Sequence, residues 1–491
     1  MAEQQGGIAM RIGVLADIGQ AVYHVGDEAI GHAIAHDMQI RGHEPVLFTR
    51  DPAHTRLWMS ERFATAPSMA FPWDPDERQS LVEDLRTALA AGDAYGWGMR
   101  NGFAETVRAI RELDAMHIGG GGNLNSQYGW LLSERIATAL IALHFGKRVT
   151  LGGQTLGPAL NERDRADIAQ VLPLLSHVSF RDYASVQLAR DLAPEVAPSL
   201  SLDDATYVDL AGDGSDPDRR PKLVATFSSD LEERAGHRII PALAQFLIRL
   251  SKHANAPVTF VPHMATPGEG DGDEEVHRRI AAEMTAGTAE LMTITDAVTS
   301  ARILSDAEFV VTSRFHPAVF GLRHGAAVLA LASTGYAYAR MEGVMQNWGV
   351  DGYVLPAPAL LSHESARLTD AMTRDQADYR RHLSGLKETA WARSRNDRDR
   401  LLAAVDGHSG TSEHLENEIV GHSAPPELLE VRDGHMPFMR RSAQSEQAEV
   451  DRDYFRSLAA AADREITAYR SSRTYRSLNL LHRGRGRLLG R

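Results

Sequence analysis

The 491-residue chain contains no cysteine. That absence removes disulfides, thiolate metal sites and cysteine nucleophiles together. No apolar run approaches the roughly 20 residues that cross a bilayer, and residues 1–10 lack the charged-then-apolar pattern of a secretory signal. Basic residues are outnumbered, 52 Lys and Arg against 65 Asp and Glu, for a net charge of −13. Such a body lacks the broad basic footprint of a nucleic-acid binder. No His-Glu-x-x-His or other spaced cluster marks a metal site. What is present, 43% hydrophobic and 7% aromatic residues, is the composition of a soluble globular protein, and the expected compartment is the cytoplasm.

The charge is unevenly placed. Residues 466–491 hold seven arginines and no acidic residue, which leaves the remainder at −20. With Tyr475, Leu478, Leu480 and Leu481 among the arginines, this tail suits an interfacial segment on an anionic membrane surface; a solvated tail is the plainer alternative.

Residues 11–208 alternate short apolar strands with helical patterns, apart from an irregular stretch over 51–97. Residues 209–221 form a polar Gly/Pro linker. The alternation then restarts, with strands expected at 222–227, 257–262, 291–294, 308–312 and 327–331 and helices over 363–406. Alternation twice over, split by a linker, predicts an α/β protein of two Rossmann-like parallel-sheet domains facing one another in the GT-B manner. The expected divisions are an N-terminal domain over 1–210, a C-terminal domain over 211–406, a flexible linker over 407–447 and a basic helical tail over 448–491.

The most informative stretch is Phe309-Val-Val-Thr-Ser-Arg-Phe-His-Pro317. An apolar strand stops at Thr312-Ser313, and Pro317 is expected to open a helix. An extended link would project Arg314 and His316 to one side, into the crevice at the strand's carboxyl end, where anions are stabilised beside a helix N-terminus. A buried structural pair is the alternative.

Other strand ends carry weaker signals. His117-Ile-Gly-Gly-Gly-Gly-Asn-Leu124 places Gly120, Gly121 and Gly122 where backbone amides could approach a ligand; a tight turn would look the same. It matches neither the dinucleotide fingerprint nor the P-loop. Gln154 and Thr155, in Gly-Gln-Thr-Leu-Gly-Pro158, could bond a sugar or an anion. Gly26 and Asp27 mark another loop, with Asp27 equally suited to capping a helix. Arg181 ends a strand as a candidate anion clamp, and Asp182 reads as a helix cap. Asp203 and Asp204 form a carboxylate pair that most simply sits in a solvated turn. His263 and His324 read as ordinary loop or helix residues.

In order along residues 11–332, these segments resemble the polysaccharide pyruvyl transferase family. The resemblance is carried by Gly26-Asp27 with Ile30, Gly120-Gly121-Gly122 with Leu124, Gly153-Gln154-Thr155 with Gly157-Pro158, Arg181-Asp182 with Ser185 and Leu188, Asp203 with Ala205, and Ser313-Arg314-Phe315-His316 with Gly325. His24 stands where the family usually has Asn, and Ala327 where it often has Pro. Residues beyond about 410 lie outside the likeness.

The resemblance implies transfer of a pyruvyl group from phosphoenolpyruvate, as co-substrate with no further cofactor, to two hydroxyls of a saccharide acceptor in cell-envelope polysaccharide biosynthesis. It implies donor binding by Arg181, Ser313, Arg314 and His316, with Arg314 and His316 catalytic. Gly26, Asp27, Gly120, Gly121, Gly122, Gln154 and Thr155 would serve as acceptor- or anion-binding loops on the N-terminal, acceptor side. Two other readings remain: a nucleotide-sugar glycosyltransferase of the same architecture, for which Glu342 near Gly335-Tyr-Ala-Tyr-Ala-Arg340 is the hint, and a silent scaffold that recruits partners through its tail.

Overall fold

The computed structural model describes residues 9–59, 63–210, 222–362, 365–407, 419 and 421–471. The two expected sheets are present, and every strand pair within them is parallel. In the first sheet the strands run Ala64–Pro67, Glu44–Thr49, Arg11–Ile18, Ala115–Ile118, Arg148–Leu156, His177–Phe180 and Ser199–Leu200, with Gly121–Leu124 beside Arg148–Leu156. The second runs Ala289–Leu291, Val258–Phe260, Leu223–Thr226, Phe309–Thr312, Ala327–Ala332 and Val354–Pro356. The central strands are buried on both faces, which is why they read as continuous runs such as Leu223-Val-Ala-Thr226 and Ala327-Val-Leu-Ala-Leu-Ala332.

Both sheets reverse direction at their first strand. The first does so between Arg11–Ile18 and Ala115–Ile118, the second between Leu223–Thr226 and Phe309–Thr312. Those reversals open crevices at the strands' carboxyl ends, where doubly wound sheets take ligands. The irregular stretch over 51–97 supplies the edge strand Ala64–Pro67 and the helices Pro52–Trp58 and Pro75–Ala90, each with Pro at its start and an Asp side chain (Asp51, Asp74) capping its first amides.

Three expectations change. The helix after Phe309–Thr312 starts at Phe315, with Arg314 as its N-cap, so Pro317 is its third residue and not its first. The early amides of a helix have no partner inside it, so proline is tolerated there. The helix Ser365–Asp406 packs on the second domain as expected, with Leu368, Met372 and Tyr379 buried and Tyr379 Oη donating to Val328 O at 3.3 Å, but it does not end there. It crosses to the first, where Ser394 accepts from Leu202 N at 3.2 Å and Asp397 accepts from Ser199 Oγ at 2.5 Å. Residues 426–447, expected as flexible linker, begin a helix that runs from Pro426 to Ser471 despite Pro437. Tertiary contact holds it: Leu428, Val431, Met439 and Val450 are buried. The 211–221 linker and the basic tail beyond Ser471 lie outside the described residues. Among the described residues, no helix is long and apolar enough to cross a membrane.

Candidate active site

The two domains are joined beside the crevice by main chain. Tyr23–His24 of the first pairs antiparallel with Met264–Ala265 of the second, and Val25 N donates to His263 O at 3.0 Å. Tyr336 Oη donates to Gly122 O at 2.7 Å, and Asn347 Nδ2 to Arg181 O at 2.7 Å. Between these ties lies a cavity of about 1090 Å³ whose lining includes Gly26, Asp27, Arg181, Ser313, Arg314 and His316.

Arg314 extends from the N-cap position, and its Nε and Nη2 fork grips Asp273 at 2.6–3.1 Å. Asp273 is fully buried and also accepts from the amides of His263 and Met264 at 3.0 Å. The guanidinium is therefore aimed by a carboxylate that is itself fixed by backbone. Burial works against the Arg314 charge, but the Asp273 charge and hydrogen bonds outweigh it and hold the guanidinium firmly protonated. Ser313 Oγ accepts from Ser228 N at 2.8 Å, which ties the loop to the neighbouring strand end.

His316 is the second residue of the Phe315–His324 helix, so it reaches the cavity from a helical turn and not from an extended link. Its ring packs on Gly26 so closely that a Cβ there would overlap Nδ1; glycine is required by approach and not by backbone angle. Nε2 is buried without a hydrogen-bond partner and lies 3.8 Å from Asp203 Oδ1. Burial pushes the His316 pKa below its ordinary value; Asp203 and Asp27 oppose that shift, while Arg181 and Arg340 add to it. The imidazole is thus neutral at pH 7 and able to accept a proton, with a carboxylate near enough to stabilise the imidazolium that results.

Arg181 is buried at the same wall. Nε donates to Thr155 Oγ1 at 2.8 Å, Nη1 pairs with Asp203 at 2.5 Å, and the guanidinium lies 4.1 Å from the centre of the Phe315 ring. Nη2 has no partner. Asp27 accepts from His24 Nδ1 at 3.2 Å. Burial raises its pKa, but the His24 bond and the nearby His24, His316 and Arg135 charges bring it below the usual carboxylate range.

Apart from Gly122, the remaining sequence candidates are not in the cavity wall. Gly120 N donates to Asp204 Oδ2 at 3.0 Å, Gly119 O accepts from Gln154 Nε2 at 2.5 Å, and Gly121 lies in a strand. Of the three named glycines only Gly122 lines the cavity. Gln154 is fully buried, and Thr155 bridges Asp182 and Arg181. Asp182 does cap the Tyr183–Leu192 helix, accepting from Ser185 N at 2.8 Å. Asp203 and Asp204 are not in a solvated turn: both are buried, one on Arg181 and the other between Gly120 N and Arg398. Burial lifts the Asp204 pKa to about 6.

Sequence reasoning missed Asp273, Arg340, Tyr336 and Asn123, and passed over His263; all but Asp273 line the cavity. Arg340 lies 4.2 Å from the centre of the Tyr336 ring, and its Nε is buried and unpartnered. Only the Arg residue type at a helix turn after a strand could have flagged it. Asp273 is the second residue of the Gly272–Ala282 helix, in an acidic stretch indistinguishable from solvated sequence. Among the described residues, no group of three or more His, Asp or Glu side chains is placed to hold a metal ion.

Two facing parallel-sheet domains with a polar crevice at their carboxyl ends define a GT-B-like α/β protein. Solved structures agree on the fold: a Listeria monocytogenes protein assigned as a UDP-N-acetylglucosamine 2-epimerase has TM-score 0.51 at 11% identity, over 84% of this chain and 100% of that one. A second UDP-N-acetylglucosamine 2-epimerase gives 0.51 at 12% over 83% and 99%, and the S. aureus MnaA–UDP co-structure 0.51 at 11% over 82% and 99%. A search of curated proteins returns no significant match. The chain belongs to the polysaccharide pyruvyl transferase family, whose model matches residues 24–335, well over half its length.

Proposed function

We propose that the protein transfers a pyruvyl group from phosphoenolpyruvate to two hydroxyls of a saccharide, forming a cyclic ketal and releasing phosphate. The observation that carries this reading is the convergence of Arg314, Arg181 and His316 on one cavity, with Arg181 Nη2 and His316 Nε2 buried and unpartnered. A phosphate and a carboxylate on one small donor need fixed cationic forks, which Arg supplies.

In the overall reaction the enol carbon gains a proton and becomes a methyl group, the bond from C2 to the phosphate oxygen breaks, and two bonds form from C2 to acceptor oxygens. Of the two hydroxyl protons released, one balances the methyl group and the other leaves with phosphate. Arg181 and Arg314 hold the donor's anionic groups and stabilise the departing phosphate. Neutral His316 takes the proton of an attacking hydroxyl, and Asp203 stabilises the resulting imidazolium.

The nucleotide-sugar reading has less support. Glu342 is exposed and not part of the cavity lining. The N-terminus of the Gly335–Gln346 helix, a natural site for a diphosphate, is filled by this chain's own Glu446, which accepts from Gly335 N and Tyr336 N at 2.8 Å. The protein is further proposed to work in the cytoplasm, with residues 466–491 contacting anionic membrane surfaces; equal flotation of full-length and 1–447 proteins with anionic vesicles would remove that contact. The activity is tested by incubating the protein with phosphoenolpyruvate and a panel of envelope glycans. The expected product is a saccharide heavier by pyruvate less one water; no such product with any acceptor would reject the reading.

A further inference from the structure

The cavity is larger than a three-carbon donor and one sugar ring require, since volumes of about 300–1,000 Å³ already enclose drug-sized ligands. Its outer part is built differently from the reaction centre. Trp73, 73% exposed, stacks on Trp130 at 3.7 Å between ring centres, and Tyr128 meets Trp130 edge-on at 5.5 Å. Tryptophan is rarely left this open, and both indoles line the cavity. Asn123, between this platform and the glycine turn in sequence, is buried with its Nδ2 unpartnered in the same wall.

Further lining comes from the Pro426–Ser471 helix, which lies outside the family match. Glu446, Glu449, Val450, Asp453, Tyr454 and Ser457 line the cavity, and their spacing of three and four residues places them on one helical face. The helix is tied to both domains. Glu446 ties it to the second domain at Gly335 and Tyr336, Gln447 bonds both N and O of Leu160 in the first domain, and Ser457 bonds Asp76, three residues after Trp73.

We infer that the Trp73–Trp130 platform and the 446–457 face of this helix form an acceptor subsite for a neutral saccharide chain, engaging sugar units beyond the one that reacts. A flat indole pair offers an apolar surface to the C–H face of a pyranose. The carboxylates of Glu449 and Asp453 accept hydrogen bonds from ring hydroxyls, and they repel uronic or phosphorylated units at the same place. The family match ends at residue 335, before this helix. The inference rests on the acceptor being a saccharide, as the proposed function has it; it does not depend on the donor being phosphoenolpyruvate.

The test is calorimetric titration of the full-length protein with cellotetraose, β-1,4-mannotetraose, chitotetraose and tetragalacturonate, each beside its monosaccharide, with phosphoenolpyruvate titrated separately. At least one neutral tetramer should bind about tenfold or more tighter than its monomer, a difference of about 1.4 kcal/mol. Trp73→Ala should bring that tetramer to within about twofold of its monomer, and Glu449→Ala with Asp453→Ala should lose a smaller part. Phosphoenolpyruvate binding should be unchanged in both variants. Trp73 is mostly exposed, so its removal should leave thermal unfolding near wild type; if it does not, the exposed Glu449/Asp453 pair decides. Neutral tetramers no better than monomers, an increment that survives the substitutions, or tetragalacturonate binding as tightly would each overturn the subsite. Absent phosphoenolpyruvate binding with the tetramer increment intact would remove the donor reading and leave the subsite standing.

Discussion

At the carboxyl end of the first sheet, the polar groups around residues 119–122 are directed inward: Gly120 N is held by Asp204, Gly119 O by Gln154, and Thr155 by Asp182 and Arg181. At the matching reversal of the second sheet, Ser313, Arg314 and His316 face the cavity, and His316 Nε2 has no hydrogen-bond partner, with Asp203 Oδ1 3.8 Å away. Both ends occupy the same place in the same strand order. One is a scaffold that delivers Arg181 and joins the domains through Gly122, and the other presents the groups proposed to react. Position in a doubly wound fold therefore names where a ligand binds, but the hydrogen-bond inventory decides which groups remain free to bind it.

The sharpest break in that contrast is at His316. His316→Gln keeps a hydrogen-bonding side chain but cannot carry a proton near neutrality, so turnover should fall by about a hundredfold or more while donor affinity changes only a few-fold. Stopped-flow or steady-state rates beside a donor titration separate the two. Arg314→Lys should do the reverse, since it keeps charge and loses the fork held by Asp273. Loss of a charge-assisted contact of roughly 1.5–3 kcal/mol raises the apparent donor constant about ten- to hundredfold.

A substitution at the scaffold end should act on folding instead. A Cβ at Gly120 would stand 2.7 Å from Gly153 O and 2.8 Å from Asp204 Oδ2, neither able to withdraw easily. Gly120→Ala should cost about 1–3 kcal/mol of stability, read as a lowered Tm, with kcat of the folded fraction within a few-fold of wild type. A kcat collapse at unchanged Tm would place the glycine turn in the chemistry.

The smallest effect is the pH response. Burial lowers the His316 pKa, so its neutral, proton-accepting form is present above that value and lost as pH falls through it. The acidic limb of kcat/KM should therefore lie below the ordinary histidine value of about 6.5, with less than about twofold change between pH 7 and 8. A limb at or above pH 6.5 that vanishes in His316→Gln would contradict the neutral-base role.

Much of the fold was legible because strand and helix periods alternate, and Arg314 and His316 stood out because charged groups directly follow the apolar run Phe309-Val-Val-Thr312. What was not legible depends on distant partners. Nothing local links Gly120 to Asp204, 84 residues on, or Arg314 to Asp273, 41 residues back. The 426–447 part of the Pro426–Ser471 helix was hidden for a related reason. With Gly434 and Pro437 inside it and few apolar residues, its own sequence argues against a helix, and its order comes from two domains that grip it.

On the proposed reading, this crevice captures a phosphate-bearing three-carbon donor and not a nucleotide sugar. The direct test offers one glycan acceptor either phosphoenolpyruvate or a panel of UDP-sugars and follows phosphate or UDP release with the wild-type protein and with Arg314→Lys. The expected result is saccharide-dependent phosphate release from phosphoenolpyruvate, weakened in Arg314→Lys through the donor constant, and no UDP release. Saccharide-dependent UDP release with phosphoenolpyruvate untouched would contradict it.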